Sequence, residues 1–247
     1  MDARGSACSD AGRGGLPASQ TAVERRLASR LPIDGISEDP RYGSLHPTPI
    51  DVGKRCGRHS MNQAAINALL VRYSREGLRG VRLKGGAPCI FGYGGEEMAA
   101  MREAGMAVEV VPGVMASVAV TPGIPFTHRG VSRGLHVITA QGAENRLRNH
   151  EWQALAQVGG TLAVYMGVRM LPKLDARLAR AGLPLSTPVV AVENSTLPGQ
   201  RAIPGGLGCI AGRVAGIAPE GPTLLLIGEA VAPGHRRCAE EELLDAA

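Results

Sequence analysis

The stretch Arg82–Glu97, RLKGGAPCIFGYGGEE, decides how the rest of the chain is read. An apolar strand ends at Gly85-Gly86, and a short loop leads to a second glycine cluster at Gly92, Gly94 and Gly95. Glu96 and Glu97 then open a helix. Glycine concentrates where a backbone turns with positive φ or comes very close to something else. Acids in a first helical turn match the positive end of the helix dipole. Strand, glycine turn and helix in that order make a βα unit, and ligands of open α/β sheets bind at such strand ends.

The same alternation extends in both directions. Upstream, SMNQAAINALLVRYSREG (60–77) has Ser60 and Gln63 at capping-box spacing, apolar Ile66, Leu69, Leu70 and Tyr73, and Gly77 as its stop. That pattern predicts an amphipathic helix. LRGVRLK (78–84), MAVEVV (106–111), LHVITA (135–140), TLAVYM (161–166), TPVVAVE (187–193) and PTLLLIGEAV (222–231) read as strands. PGVMASVAV (112–120), HEWQALAQVG (150–159), VRMLPKLDARLARAG (168–182) and GCIAGRVAGI (208–217) read as helices or helix starts, Pro172 lying in a first turn or at a kink. Continuous apolar strands between helices predict an α/β protein with largely parallel sheets buried on both faces. Residues 1–48 show no sustained period beyond a short helix across QTAVERRLASRL (20–31), and read as disordered or poorly packed.

Small or turn-forming residues follow strand after strand: Gly85-Gly86, Pro112-Gly113, Gly167 and Asn194-Ser195. Any one of these is explained equally well by a tight turn. Four together point to a ligand crevice.

Several function classes are disfavoured. FGYGGEE is not G-x-G-x-x-G, because Glu97 stands at the third glycine, and no G-x-x-x-x-G-K-[ST] is present. The six histidines form no H-x-x-x-H pair, so no metal site is expected. Cys8, Cys56, Cys89, Cys209 and Cys238 are odd in number and lack a C-x-x-C pair, which predicts reduced thiols in a cytoplasmic protein. MDARGSACSDAGRGG (1–15) has no apolar core of a secretory signal, and no run of about 18 apolar residues suggests a membrane span. A net charge of +5 favours anionic ligands, but the cations are not interleaved with aromatic residues as a nucleic-acid stacking surface requires.

Six segments resemble, in order, motifs of the uroporphyrinogen-III C-methyltransferases, a tetrapyrrole methylase family of siroheme and cobalamin biosynthesis. They are VGKRCGRHSMNQAAINALLV (52–71), VRLKGGAPCIFGYGGEE (81–97), VVPGVMAS (110–117), GIPFTHRG (123–130), VYMG (164–167) and VVAVENST (189–196). The resemblance implies two α/β domains with S-adenosyl-L-methionine bound between them, in a homodimer with no metal, nucleic-acid or membrane partner. The implied reaction is two successive methyl transfers to uroporphyrinogen III, giving precorrin-2. By motif position, Gly85, Gly86, Ala87, Ile90, Met115, Ala116, Met166 and Ser195 line the cofactor site, although Met166 read alone suits a core position at a strand end. Lys54 takes the position of a proton donor, and Arg55, Arg58, His59, His128 and Arg129 are candidate contacts for substrate carboxylates.

The implied layout is a non-homologous segment (1–48), an incomplete amino-terminal domain (49–123), a carboxy-terminal domain (124–233) and a tail (234–247). Departures from the family pattern motivate that layout. Residues 1–48 contain no G-x-G-P-G-D-P loop after a first strand and no Y-D-x-L segment. The aspartate of G-G-D-P is Ala87, and a threonine is replaced by Met115. These departures also raise two alternatives: a catalytically impaired remnant that only dimerises or binds weakly, and an RNA methyltransferase of the same fold.

Overall fold

The computed structural model describes residues 6–10, 35–38, 49–52, 61–78, 80–117, 124–142, 146–197 and 199–232. The chain divides into two units, Met1–Met115 and Ala116–Ala247, so the break falls before the expected boundary at 123/124.

The first unit carries β1 (Ser6–Asp10), β2 (Gly35–Glu38), β3 (Pro49–Asp51), β4 (Gly80–Lys84) and β5 (Val108–Val110) in one sheet, ordered β3-β2-β4-β1-β5. Strand β1 pairs in parallel with both β4 and β5, while β2 runs antiparallel to β3 and β4. Residues 6–10 and 35–38, inside the segment expected to stand apart, thus supply two strands of this sheet. SACSD and GISE are too short and polar to announce strands; they become strands through the ladders beside them, because strand preference is set largely by neighbours.

Helices α1 (Gln63–Arg75) and α2 (Gly94–Glu103) cover this sheet, with Ile66, Leu70 and Met101 buried together with Val52. Full burial of such side chains stabilises by about 1.5–3 kcal/mol each. The start of α1 differs from expectation. Asn62, not Ser60, is the cap: its Oδ1 accepts the Ala65 N–H at 2.8 Å. Gln63 thus begins the helix instead of closing a capping box, and its side chain turns to other partners.

The second unit contains β6 (Leu135–Thr139), β7 (Thr161–Tyr165), β8 (Pro188–Glu193), β9 (Arg201–Gly206) and β10 (Thr223–Ile227), ordered β6-β7-β10-β8-β9. Helices α3 (Trp152–Val158), α4 (Leu171–Arg180) and α5 (Ile210–Ile217) bury Trp152, Leu171, Leu174, Leu178, Ile210 and Val214 with Leu162, Val164, Val189, Ala191 and Leu225 of the sheet. The opposite face buries Ala163, Val190, Val192, Leu224 and Leu226 with Ile124 and Val231. Pro172 lies in the first turn of α4, where its missing N–H is harmless.

The α/β class holds, but the expected predominance of parallel pairing does not. Strands β6 and β7 are parallel, whereas β10 runs antiparallel between β7 and β8, and β9 antiparallel to β8. An apolar run such as TLLLI reports burial on both faces, not direction. Strands β6, β7 and β8 consequently point the same way, and their carboxyl ends share one edge of the sheet.

Candidate active site

In the first unit, β4 ends at an exposed Gly85 and at Gly86, whose φ is 91°. The Ile90 N–H donates to the Ala87 carbonyl and the Gly94 N–H to the Pro88 carbonyl, both at 3.1 Å. Phe91 and Tyr93 have positive φ, at 53° and 61°, and both side chains are exposed. A Cβ on Gly92 would stand 2.9 Å from the Pro88 carbonyl oxygen, and one on Gly94 closer still. Two glycines of the quoted stretch are therefore demanded by the loop folding on itself. Gly85 and Gly86 remain the exposed turn at the strand end.

Beneath this loop lies a polar cluster that motif matching overlooked. Lys84 Nζ donates to Glu97 Oε2 at 2.8 Å, and Arg82 Nε to Oε1 at 3.2 Å, with Glu97 only 1% exposed. Gln63 Nε2 also donates to Oε1, at 3.1 Å, and Arg82 Nη1 to the Leu83 carbonyl at 2.7 Å. One carboxylate thus joins β4, the first residue of α1 and the first turn of α2 across the glycine loop. A signal was available: Arg82 and Lys84 share one face of a strand that reads as wholly buried, which demands a nearby acid.

In the second unit, Tyr165 closes β7. Its hydroxyl accepts the Ser117 N–H at 2.8 Å, and its carbonyl accepts the Ala140 N–H at 2.9 Å. Met166 follows with φ 53° and 47% exposure. A core position for Met166 is thereby excluded; a bulky residue held in the left-handed region and open to solvent is the kind of strain that collects at functional sites. Gly167 is fixed by packing, since a Cβ there would approach Leu225 Cδ1 to 2.6 Å. The Ser117 hydroxyl is fully buried with no hydrogen-bond partner among the described residues.

The turn after β8 is held in a related way. Glu193 Oε2 accepts from Arg201 Nε at 2.7 Å and pairs with Nη2 at 2.6 Å, while Oε1 accepts the Gly221 N–H at 2.7 Å. Burial pushes the Glu193 carboxyl up, but the Gly221 N–H, the Arg201 guanidinium and the Glu220 N–H together outweigh it and hold the group below its ordinary 4.5. Asn194 and Thr196 adopt positive φ around Ser195, and a Cβ on Gly221 would collide with the Asn194 amide.

These contacts settle which expected residues share a place. The Ser117 N–H, bonded to the Tyr165 hydroxyl, ties the residue after Ala116 to the side-chain tip of the residue before Met166. The register sets Leu225 opposite Val164 and Thr223 opposite Glu193, so the β7 and β8 ends flank the start of β10. That puts Met166 and the Ser195 turn two strand spacings apart, about 10 Å. Gly85, Gly86, Ala87 and Ile90 form one turn of the first unit, which Met115 ends. His128 and Arg129 are not with the second-unit group. They occupy an exposed turn bridged to Ser132, tied through the Phe126 carbonyl to the Thr161 hydroxyl at the amino end of β7. The length of β7, about 13 Å, separates them from Met166. Lys54, Arg55, Arg58 and His59 lie outside the described residues.

Exposed turns with positive φ thus follow strands in both units, and a buried carboxylate lies beside one of them in each, Glu97 in the first unit and Glu193 in the second. Turns at the carboxyl ends of strands are where α/β proteins bind ligands. Comparison with known proteins makes that class specific. The family model for Tetrapyrrole (Corrin/Porphyrin) Methylases matches residues 21–211, and the chain belongs to this family. The match begins at residue 21, inside the segment 1–48.

A uroporphyrinogen-III C-methyltransferase of Pseudomonas aeruginosa is 41% identical over 182 residues, covering 73% of this chain and 74% of the relative. A siroheme synthase of Gluconacetobacter diazotrophicus is 42% identical over 182 residues, 73% of this chain but 39% of the relative. The chain therefore spans about two fifths of the length of the siroheme synthases it matches. The structure of a uroporphyrin-III C-methyltransferase from Thermus thermophilus, complexed with S-adenosylhomocysteine, superposes with TM-score 0.61 at 34% identity, over 69% of this chain and 74% of that one. The methyltransferase CobJ, 17% identical, shares the fold over 92% of this chain and 94% of its own, with TM-score 0.64.

Proposed function

We propose that this chain transfers methyl groups from S-adenosyl-L-methionine to ring carbons of uroporphyrinogen III, twice in succession, to give precorrin-2. The observation that carries the proposal is 41% identity across 74% of a uroporphyrinogen-III C-methyltransferase. The remnant alternative gains no support from the family match or from these relatives.

The strand-end turns suit such a cofactor. Backbone groups are exposed at Gly85, the Ser117 hydroxyl is buried with no partner among the described residues, and Met166 is held toward solvent. When bound, the cofactor supplies a methyl group already activated on a sulfonium. The chain's share is then to hold, orient and exclude water, and placement of this kind accounts for much of the acceleration in such reactions. In the proposal Gly85, Gly86, Ala87 and Ile90 contact the cofactor from the first unit with Met115, and Ala116, Met166 and Ser195 from the second. Lys54 is proposed as proton donor. Arg55, Arg58, His59, His128 and Arg129 are proposed to take substrate carboxylates, through the charge-assisted bonds that guanidinium and imidazolium groups make. A cytoplasmic homodimer belongs to the same proposal.

Calorimetry with S-adenosylhomocysteine tests the cofactor half. Saturable binding with one site per chain is the expected outcome, weakened at least tenfold by Met166→Asp. Absence of any binding heat would overturn it.

A further inference from the structure

A second concave site lies on the helical face of the second unit. It encloses about 520 Å³ between the segment leading into α3 and the outer face of α4. Its wall carries Arg148, Lys173, Arg177 and Arg180, with Asn149 and Trp152 also lining it, and no acid among the described residues lines it. None of the four side-chain charged groups has an ion-pair or hydrogen-bond partner among the described residues.

The arrangement follows from the helix. Leu171, Leu174 and Leu178 of α4 are buried in the core, so Lys173, Arg177 and Arg180, spaced i, i+4 and i+7, form a stripe on its outer side. That stripe spans about 10 Å along the axis. The facing wall is fixed. The Arg148 N–H donates to the Ala140 carbonyl at 2.8 Å, His150 Nε2 bonds the Thr139 carbonyl at 2.9 Å, and the His150 and Trp152 rings meet edge to face at 5.0 Å. Gathering four like charges around one hollow is unfavourable in the free protein, and solvent ions relieve it only partly.

We propose that this groove binds an oligophosphate, either free or as the tail of a nucleotide. Four cations in so small a volume match an anion that concentrates several charges on a compact body, and three of them are arginines, whose forks fit phosphate oxygens in pairs. Carboxylates, each with a single charge on its own arm, match the density less well. The site stands independently of the methyl-transfer reading, since none of its residues belongs to the strand-end turns.

Trp152 is the only tryptophan of the chain, so its fluorescence reports on this groove alone. The full chain is titrated with sodium tripolyphosphate and, separately, with ATP, at about 50 mM salt, following fluorescence and heat. Saturable binding of both is expected. Equal affinities assign recognition to the phosphate chain, and tighter ATP binding adds the nucleoside. The exposed double variant Lys173→Glu, Arg177→Glu, with circular dichroism to verify folding, is expected to bind at least tenfold more weakly and to keep S-adenosylhomocysteine binding unchanged. No saturable response to either ligand overturns the proposal. So does binding unaffected by the double variant, or a response confined to a long RNA.

Discussion

At 1% exposure the Glu97 carboxylate holds Lys84 and Arg82 of β4, so replacing it by glutamine keeps the shape and removes the charge. Breaking a buried pair by deleting one partner costs about 3–5 kcal/mol, because the remaining charges stay buried. Glu97→Gln is therefore expected to lower the urea unfolding free energy by about 3 kcal/mol. Arg72→Ala, which removes an exposed pair with Glu76, should cost about 0.5 kcal/mol or less. Equal effects from the two would contradict the assignment.

Asp175 behaves oppositely to Glu193. Burial pushes its carboxyl up from 3.8 to about 6, against lowering by the Ala211 N–H, and its Oδ1 has no partner among the described residues. A raised folded pKa means that the stabilising contribution is full below about 3.8 and lost as pH rises through about 6. Asp175→Asn should thus be more stable than the parent at pH 7, by on the order of 1 kcal/mol after allowing for partial exposure, with the difference gone at pH 4. Thermal unfolding at the two pH values measures it. Glu193 contributes stability above the ordinary carboxylate range that is lost as pH falls through it. Ala87 is a third residue with a clear expectation. Its carbonyl closes the loop to Ile90, and an aspartate side chain there can accept a backbone N–H as turn residues do. Ala87→Asp should bind S-adenosylhomocysteine at least as tightly as the parent; a clear loss would refute that view of the loop.

At the scale of elements, the loop between β4 and α2 is a self-packed unit. Gly94→Ala would drive a Cβ into the Pro88 backbone, which cannot swing away as a side chain could. Overpacking of this kind costs about 1–3 kcal/mol. The variant is expected to lose that much stability and also to weaken S-adenosylhomocysteine binding, which calorimetry at one temperature can read. Strands β7, β8 and β10 were legible because each is a largely apolar run closed by a turn, and β4 because Val81 and Leu83 alternate with Arg82 and Lys84 before Gly85-Gly86. Strand β9 was not: RAIPGG contains Pro204, Gly205 and Gly206, which a strand tolerates at a sheet edge, where β9 lies. Strands β1 and β2 were hidden because their own side chains carry little signal, and direction was hidden because burial is symmetric. Of the candidate site, the turns were legible from glycine and asparagine after strands. The carboxylates that hold them were not, since Glu97 meets its partners across 13 and 15 residues and Glu193 meets Gly221 across 28.

For the whole molecule, each unit presents an exposed turn at the carboxyl end of a buried strand, and each turn is tied down by a buried acid. The motifs VRLKGG, VYMG and VVAVENST fall at the ends of β4, β7 and β8. Length sets the scope of the account, because the chain corresponds to about two fifths of the siroheme synthases it matches and to most of a uroporphyrinogen-III C-methyltransferase. The central claim is methyl transfer to a tetrapyrrole. Incubating the full chain with methyl-labelled S-adenosyl-L-methionine and uroporphyrinogen III, then resolving the tetrapyrroles by mass, tests it most directly. The account predicts a labelled tetrapyrrole carrying two added methyl groups. An unlabelled tetrapyrrole from a folded chain that still binds S-adenosylhomocysteine would contradict it.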